Sequence, residues 1–158
     1  MDSVTIDTNV LVVANMKNVD ATPLQCLKVI EFIEHIINNR LIISIDDKGL
    51  ILSEYRNYAS HKGAPGVGDK FFKWLHDYQG SNLCEKVKIH PFQNEHFEFE
   101  ELDGLYQLIG FDRSDQKFVA VALKSENNCT ICNAVDSDWE NYADAFSELK
   151  IAIKNVSL

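Results

Sequence analysis

Four acidic residues separated by long stretches of chain, Asp7, Glu54, Asp115 and Asp136, are the groups in this sequence best placed to do chemistry together. Asp7 follows the apolar stretch SVTI and Asp136 follows TICNAV, so both emerge from the ends of predicted strands. Glu54 and Asp115 fall on or at the start of predicted helices. In an open parallel sheet, ligands gather outside the carboxyl ends of the strands, so acids at such positions are placed to meet. Converging carboxylates offer hard oxygen donors that suit Mg2+ or Mn2+. That combination points to metal-assisted hydrolysis of a phosphodiester rather than to a binding scaffold. Each acid also has a plainer explanation. Asp7, Asp115 and Asp136 sit where an aspartate caps a helix, and Glu54 reads as a partly exposed helix glutamate.

The elements that must position these acids follow from hydrophobic periodicity. SVTI is a short buried strand, and a helical or turn segment starts from Asp7. Thr22 and Pro23 open a helix over residues 22–39, with Leu24, Leu27, Ile30, Ile33 and Ile37 as its apolar stripe. LIISI at 41–45 is a second strand, and Asp46 and Asp47 open a helix carrying Leu50, Ile51, Glu54, Tyr55 and Tyr58. HKGAPGVGD lacks the Lys-Ser/Thr ending of a phosphate-binding loop and reads as a flexible connection. It leads to a helix over 69–79 with Phe71, Trp74, Leu75 and Tyr78 on one face, which completes a helical hairpin. KVKIHPF holds a third strand stopping near Pro91, and the acidic NEHFEFEELDG is a surface connection with a short helix behind it. After FDRSD comes a helix with Phe118, Val119, Ala122 and Leu123 as its stripe, then strand TICNAV, a helix over 138–147 and a last strand near IAIKNV. This alternation predicts an α/β fold whose parallel sheet is covered on both faces, in one domain over 1–158.

Composition bounds the function. A hydrophobic content of 46% supports an ordinary packed core. No run reaches the roughly 18 apolar residues that cross a bilayer, and MDSVTID has neither a positive start nor an apolar leader, so a cytoplasmic protein without membrane contact is expected. Cys26, Cys84, Cys129 and Cys132 read as reduced, mostly buried thiols. Cys129 and Cys132 form one C-x-x-C, but the second ligand pair is missing and a strand puts the two on opposite faces, against a zinc site. Fifteen basic and twenty-four acidic residues give a formal charge of −9, which opposes attraction to a phosphate backbone. Two divalent cations at the acids would offset about four of those charges where a phosphate approaches. Arg56, His61, Lys62, Lys70 and Lys73 concentrate positive charge around the helical hairpin, and Arg113 and Lys117 lie near Asp115; Arg56, Lys62, Lys70, Arg113 and Lys117 are the candidates to hold a substrate strand. Phe71, Phe72, Trp74 and Tyr78 read first as core, with base stacking or a homodimer surface as alternatives.

VTIDTNVLV, SEYRNY, FDRSDQKFVAVAL and AVDSDWENY occur in this order, and over essentially the whole chain they resemble the successive acidic motifs of PIN-domain ribonucleases, including the toxin type. Asp7-Thr8-Asn9 matches the motif after the first strand, and Glu54 the central helix. Asp115 with Ala120 and Ala122 matches a later helix, and Asp136 with Asp138 the final acid pair. The resemblance implies a three-layer sandwich with a central parallel sheet of four or five strands. It also implies an acidic pocket for Mg2+ or Mn2+ and endonucleolytic cleavage of RNA that leaves a 5′-phosphate and a 3′-hydroxyl. Asp7, Glu54, Asp115 and Asp136 would then be direct or water-mediated metal ligands, and Asn9 would hold Asp7 or a metal-bound water. Asp138 is a fifth candidate acid, and Asp112, one helical turn before Asp115, a sixth. Implied partners are RNA, an antitoxin protein and a second copy of the chain. The alternatives are a catalytically degenerate PIN domain that binds RNA or protein, and a haloacid dehalogenase-type phosphatase. The phosphatase needs a second Asp where Asn9 stands.

Overall fold

In the computed structural model, which describes residues 2–158, β1 (Ser3–Ile6) is buried along its whole length and runs between two parallel neighbours. On one side lies β2 (Ile42–Asp46), followed by β3 (Cys84–Val87). On the other lies β4 (Cys129–Asn133), followed by β5 (Ala152–Asn155). The order is β3-β2-β1-β4-β5 and every pairing is parallel, so the expected α/β sandwich has a sheet of five strands. β1 and β4 are buried at every residue, polar ones included, because helices cover both faces of the sheet.

From β1 the chain steps outward through β2 to β3, then returns to the far side of β1 for β4 and β5. The reversal between β1 and β4 opens a crevice at their carboxyl ends. Ile6 pairs with Cys132, and the Asp7 amide extends the ladder by donating to the Cys132 carbonyl at 2.9 Å. Asp7 therefore stands at the mouth of that crevice, and α1 (Thr8–Ala14) starts directly from it.

α2 (Pro23–Asn39) begins as expected, with Thr22 and Gln25 in a reciprocal capping box and Pro23 in the first turn. Its inward face differs from the expected stripe. Cys26, Val29, Ile33 and Ile36 are buried, while Leu24 and Leu27 are 61% and 50% exposed, because the packing of α2 on α1 and α4 selects a face rotated from the Leu-rich one.

α3 (Leu50–Arg56) is started by Asp46, the last residue of β2, whose carboxylate accepts from the amides of Lys48, Leu50 and Ile51 at 2.9 Å each. Tyr58 falls beyond this helix and is exposed. The loop before α4 (Val67–Tyr78) is fastened rather than loose: the Asp69 carboxylate accepts from the Ser60 and Gly66 amides at 2.7 and 2.9 Å and from the Asn15 side chain at 3.1 Å.

β3 starts and ends earlier than expected because it aligns with Ile43–Asp46 of β2. The acidic connection after it is not purely superficial. Phe97, Phe99 and Leu102 are buried, and Pro91 bridges to Phe99. α5 (Gln116–Lys124) crosses β1, β2 and β4 and is buried on all sides from Gln116 to Val121, a wider contact than one apolar stripe. The helix expected over 138–147 is two, α6 (Ser137–Asn141) and α7 (Ala143–Glu148). All four cysteines are free and buried. Among the described residues no helix is long and apolar enough to cross a membrane.

Candidate metal centre

Asp7, Asn9, Glu54, Asp112, Asp115 and Asp136 line one cleft of about 260 Å³ at the carboxyl ends of β1 and β4. Each arrives on a different support. β1 delivers Asp7, and the loop after β4 delivers Asp136. Glu54 is carried by α3, whose buried Tyr55 donates its hydroxyl hydrogen to the Ile6 carbonyl and so pins the helix to the end of β1. Asp115 ends a short 3-10 turn, Arg113–Asp115, and is held in place by the burial of α5 that follows.

Helix capping explains Asp136 alone among the four main acids, while Asp112 caps the 3-10 turn by accepting from the Ser114 amide at 3.0 Å. The Asp136 carboxylate accepts from the Asp138 amide at 2.9 Å at the start of α6. Asp7 and Asp115 make no capping bond to α1 or α5. Both are buried, at 3% and 8% exposure, and neither forms an ion pair among the described residues. The donor facing Asp7 is the Trp139 indole N–H, at a long 3.4 Å. Trp139 is itself locked edge-to-face against Phe111, with ring centres 5.0 Å apart.

Burial first, then the charges of Asp115, Asp136 and Glu54, push the Asp7 carboxyl well above the usual aspartate range, against a small opposing effect of Trp139. Burial, then Asp112 and Asp136, raise Asp115 to about 7, with Lys117 opposing. Asp136 is also raised, by burial first and by Asp138 and Asp112, against the amide bond it accepts. Carboxyls held this close would be relieved by a divalent cation, and an all-oxygen donor set suits Mg2+ or Mn2+. Oxygens of Asp112, Asp115 and Asp138 lie within 4.8 Å of one another, the tightest grouping of acids among the described residues. The two acids that ranked behind the main four in sequence thus stand beside Asp115.

Several assignments change. Asn9 does not reach Asp7. Its side chain donates to the Ala134 carbonyl at 3.1 Å and accepts from Asn18 at 3.4 Å, so it ties α1 to the end of β4. Arg56, Lys62 and Lys70 are exposed and do not line the acidic cleft; α4 packs mainly on α1 and α2 rather than on α3 as the expected hairpin required, and Lys70 pairs with Glu34 of α2 at 2.9 Å. Arg113 is already engaged: it pairs with Glu98 at 2.8 Å and donates to the carbonyls of Asn94 and Glu95. Lys117 is buried with its ammonium on Glu54 at 3.1 Å and on the Ser114 carbonyl. Residues that the sequence did not single out complete the site. The Thr8 hydroxyl donates to the other Glu54 oxygen, and Trp139 faces Asp7. Thr8 sits inside the Asp-Thr-Asn motif and Trp139 just after the last acid pair, but neither residue type signals a contact with a carboxylate so distant in the chain.

The chain matches no family model, no curated protein and no solved structure.

Proposed function

We propose that the protein is a metal-dependent phosphodiester hydrolase, an endoribonuclease of the PIN type that works with Mg2+ or Mn2+. The observation that carries this reading is Asp7, a buried carboxyl at the sheet's switch point with no capping role, facing Asp115, Asp136 and Glu54 across a cleft. Clustered acids of this kind are costly to the fold unless something positive is bound among them. When bound, a divalent ion would supply Lewis-acid stabilisation of the phosphate and acidify a water. Asp7, Asp115 and Asp136, with Asp112 and Asp138 beside them, would hold it. Thr8 fixes the orientation of Glu54, and Asn9 keeps α1 against the end of β4. Lys117 supplies a cation of the chain's own at the edge of the acids. The physiological setting we propose is a toxin restrained by an antitoxin, or a related defence nuclease.

The degenerate binding module stays as a second reading on one observation: Lys117 already neutralises Glu54. Incubation of purified protein with structured and single-stranded RNA in Mn2+ or Mg2+, with EDTA and Asp7→Asn as controls, separates the two. We expect cutting that EDTA abolishes and that Asp7→Asn lowers by at least about a hundredfold, the upper end of what even indirect partners of a metal cost. Metal binding with every RNA left intact would favour the binding module, and absence of metal binding would sink the nuclease reading.

A further inference from the structure

We infer that a second cleft, adjoining the acidic one, receives an unpaired RNA nucleotide next to the bond to be cut, and that Ser53 and Asn57 read its base. This rests on the nuclease reading above. The second cleft has a volume of about 380 Å³, within the range of roughly 300–1,000 Å³ found for small-molecule sites. It shares Glu54 and Ser114 with the acidic cleft. A strand lying with one phosphate over the acids therefore brings its neighbouring nucleotide beside this space.

α3 builds one wall. Leu50, Ser53, Glu54 and Asn57 line the cleft at helical spacings i, i+3, i+4 and i+7, which is one face of the helix. Asn57 follows Glu54 by about 4.5 Å of helical rise, so a base beside Asn57 and a phosphate near Glu54 suit the span of a single nucleotide. Ser53 and Asn57 are exposed, and their side chains have no hydrogen-bond partner among the described residues. An amide offers a donor and an acceptor side by side, which matches the edge of a base.

The facing wall holds Arg113 and Phe99. Because Glu98 and two backbone carbonyls clamp the Arg113 guanidinium, it is a fixed flat cation of the kind on which an unstacked base lies. Lys117 stands at the junction, bonded to both shared residues, and supplies positive charge where the backbone passes from one cleft to the other. In a duplex the bases are stacked and paired and cannot enter, so the occupant is single-stranded.

Titration of 15N-labelled protein in EDTA with millimolar adenosine, cytidine, guanosine and uridine tests the second cleft without cleavage and without phosphate repulsion. We expect shifts at the amides of Ser53, Asn57 and Arg113, larger for one base. Asn57→Ala should weaken that nucleoside about fivefold, the worth of one hydrogen bond, and Asn57→Asp, which removes the donor but keeps an acceptor, should change the base preferred. Unshifted Ser53 and Asn57 amides for all four nucleosides, or equal shifts in Asn57→Ala, overturn the inference. A parallel Mn2+ titration broadens amides around Asp7 and Asp115 if the metal reading holds. Nucleoside shifts without Mn2+ broadening would remove the metal site and leave the base subsite standing; the reverse would remove only the subsite.

Discussion

Asp7 and Asp115 set the behaviour of the metal-free protein at the scale of single residues. A carboxyl whose folded pKa lies above its unfolded value binds a proton more readily when folded, so between those two values stability falls as pH rises. For Asp115 the window runs from the ordinary 3.8 to about 7. In EDTA the melting temperature is therefore predicted to drop between pH about 4 and about 7, and Asp115→Asn should flatten that drop. Asp7→Asn keeps the acceptor that faces Trp139 but removes the charge. Each 1 kcal/mol of relief should raise the metal-free melting temperature by roughly 2–4 °C in a domain of this size. Saturating metal works in the opposite pH sense, since it favours the ionised acids, and at a hundred times Kd it stabilises by about 2.7 kcal/mol. Thermal scans at the two ends of the window, with and without Mg2+, check both statements. A flat profile in EDTA would mean that the acids are not crowded in solution.

At the scale of elements, the site depends on α1 being held against α4. Gly68 lies where an added Cβ would come within 2.3 Å of the Leu11 backbone carbonyl, an atom that cannot move without α1. Gly68→Ala is predicted to destabilise by about 1–3 kcal/mol, as overpacking does. Gly80→Ala, where a Cβ meets nothing within 4 Å, should stay within about 0.5 kcal/mol of the parent. Denaturant unfolding of the two variants gives the comparison directly. Because α1 also carries Thr8 and Asn9, Gly68→Ala should weaken metal binding too, which Gly80→Ala should not. Asp69, next to Gly68 in α4, fastens both ends of the loop over 60–66. Burial alone would push the Asp69 carboxyl up, but amide bonds from Ser60 and Gly66 and the Asn15 side chain bring it below the ordinary value, and this places α4 beside α1.

At the scale of the whole molecule, a charge of −9 opposes the nucleic-acid binding we propose unless bound metal offsets it. Two cations, Arg113 and Lys117, border the clefts, while Arg56, Lys62 and Lys70 lie off the acidic one. If only those two meet phosphates, the slope of log affinity against log salt for single-stranded RNA should be about −1.4. If Arg56, Lys62 and Lys70 also hold the strand, it should approach about −3.5. Filter binding with the Asp7→Asn protein at fixed Mn2+ distinguishes these values. A steep slope would make these three residues part of the proposed RNA contact and require a longer path for the strand than the two clefts provide.

The sequence alone settled the alternation of strands and helices, the strands within SVTI, LIISI and TICNAV, the Thr22-Pro23 helix start, and the position of Asp7 just beyond a strand. These are legible because backbone sterics and the periods of helix and strand act over a few neighbouring residues. Tertiary structure alone decided that α2 turns Cys26, Val29, Ile33 and Ile36 inward rather than Leu24 and Leu27, and that α5 is buried all round. It also decided that Asp112 and Asp138 close on Asp115, that Lys117 settles on Glu54 and Arg113 on Glu98, and that Trp139 faces Asp7. The face a helix buries is chosen by whatever packs against it, and a long polar side chain bonds to whichever partner the fold brings within about 3 Å. The partners in the Arg113–Glu98, Lys117–Glu54 and Trp139–Asp7 contacts lie 15 to 132 residues apart along the chain, beyond the reach of any local pattern, whereas Asp112, one turn from Asp115, was within it.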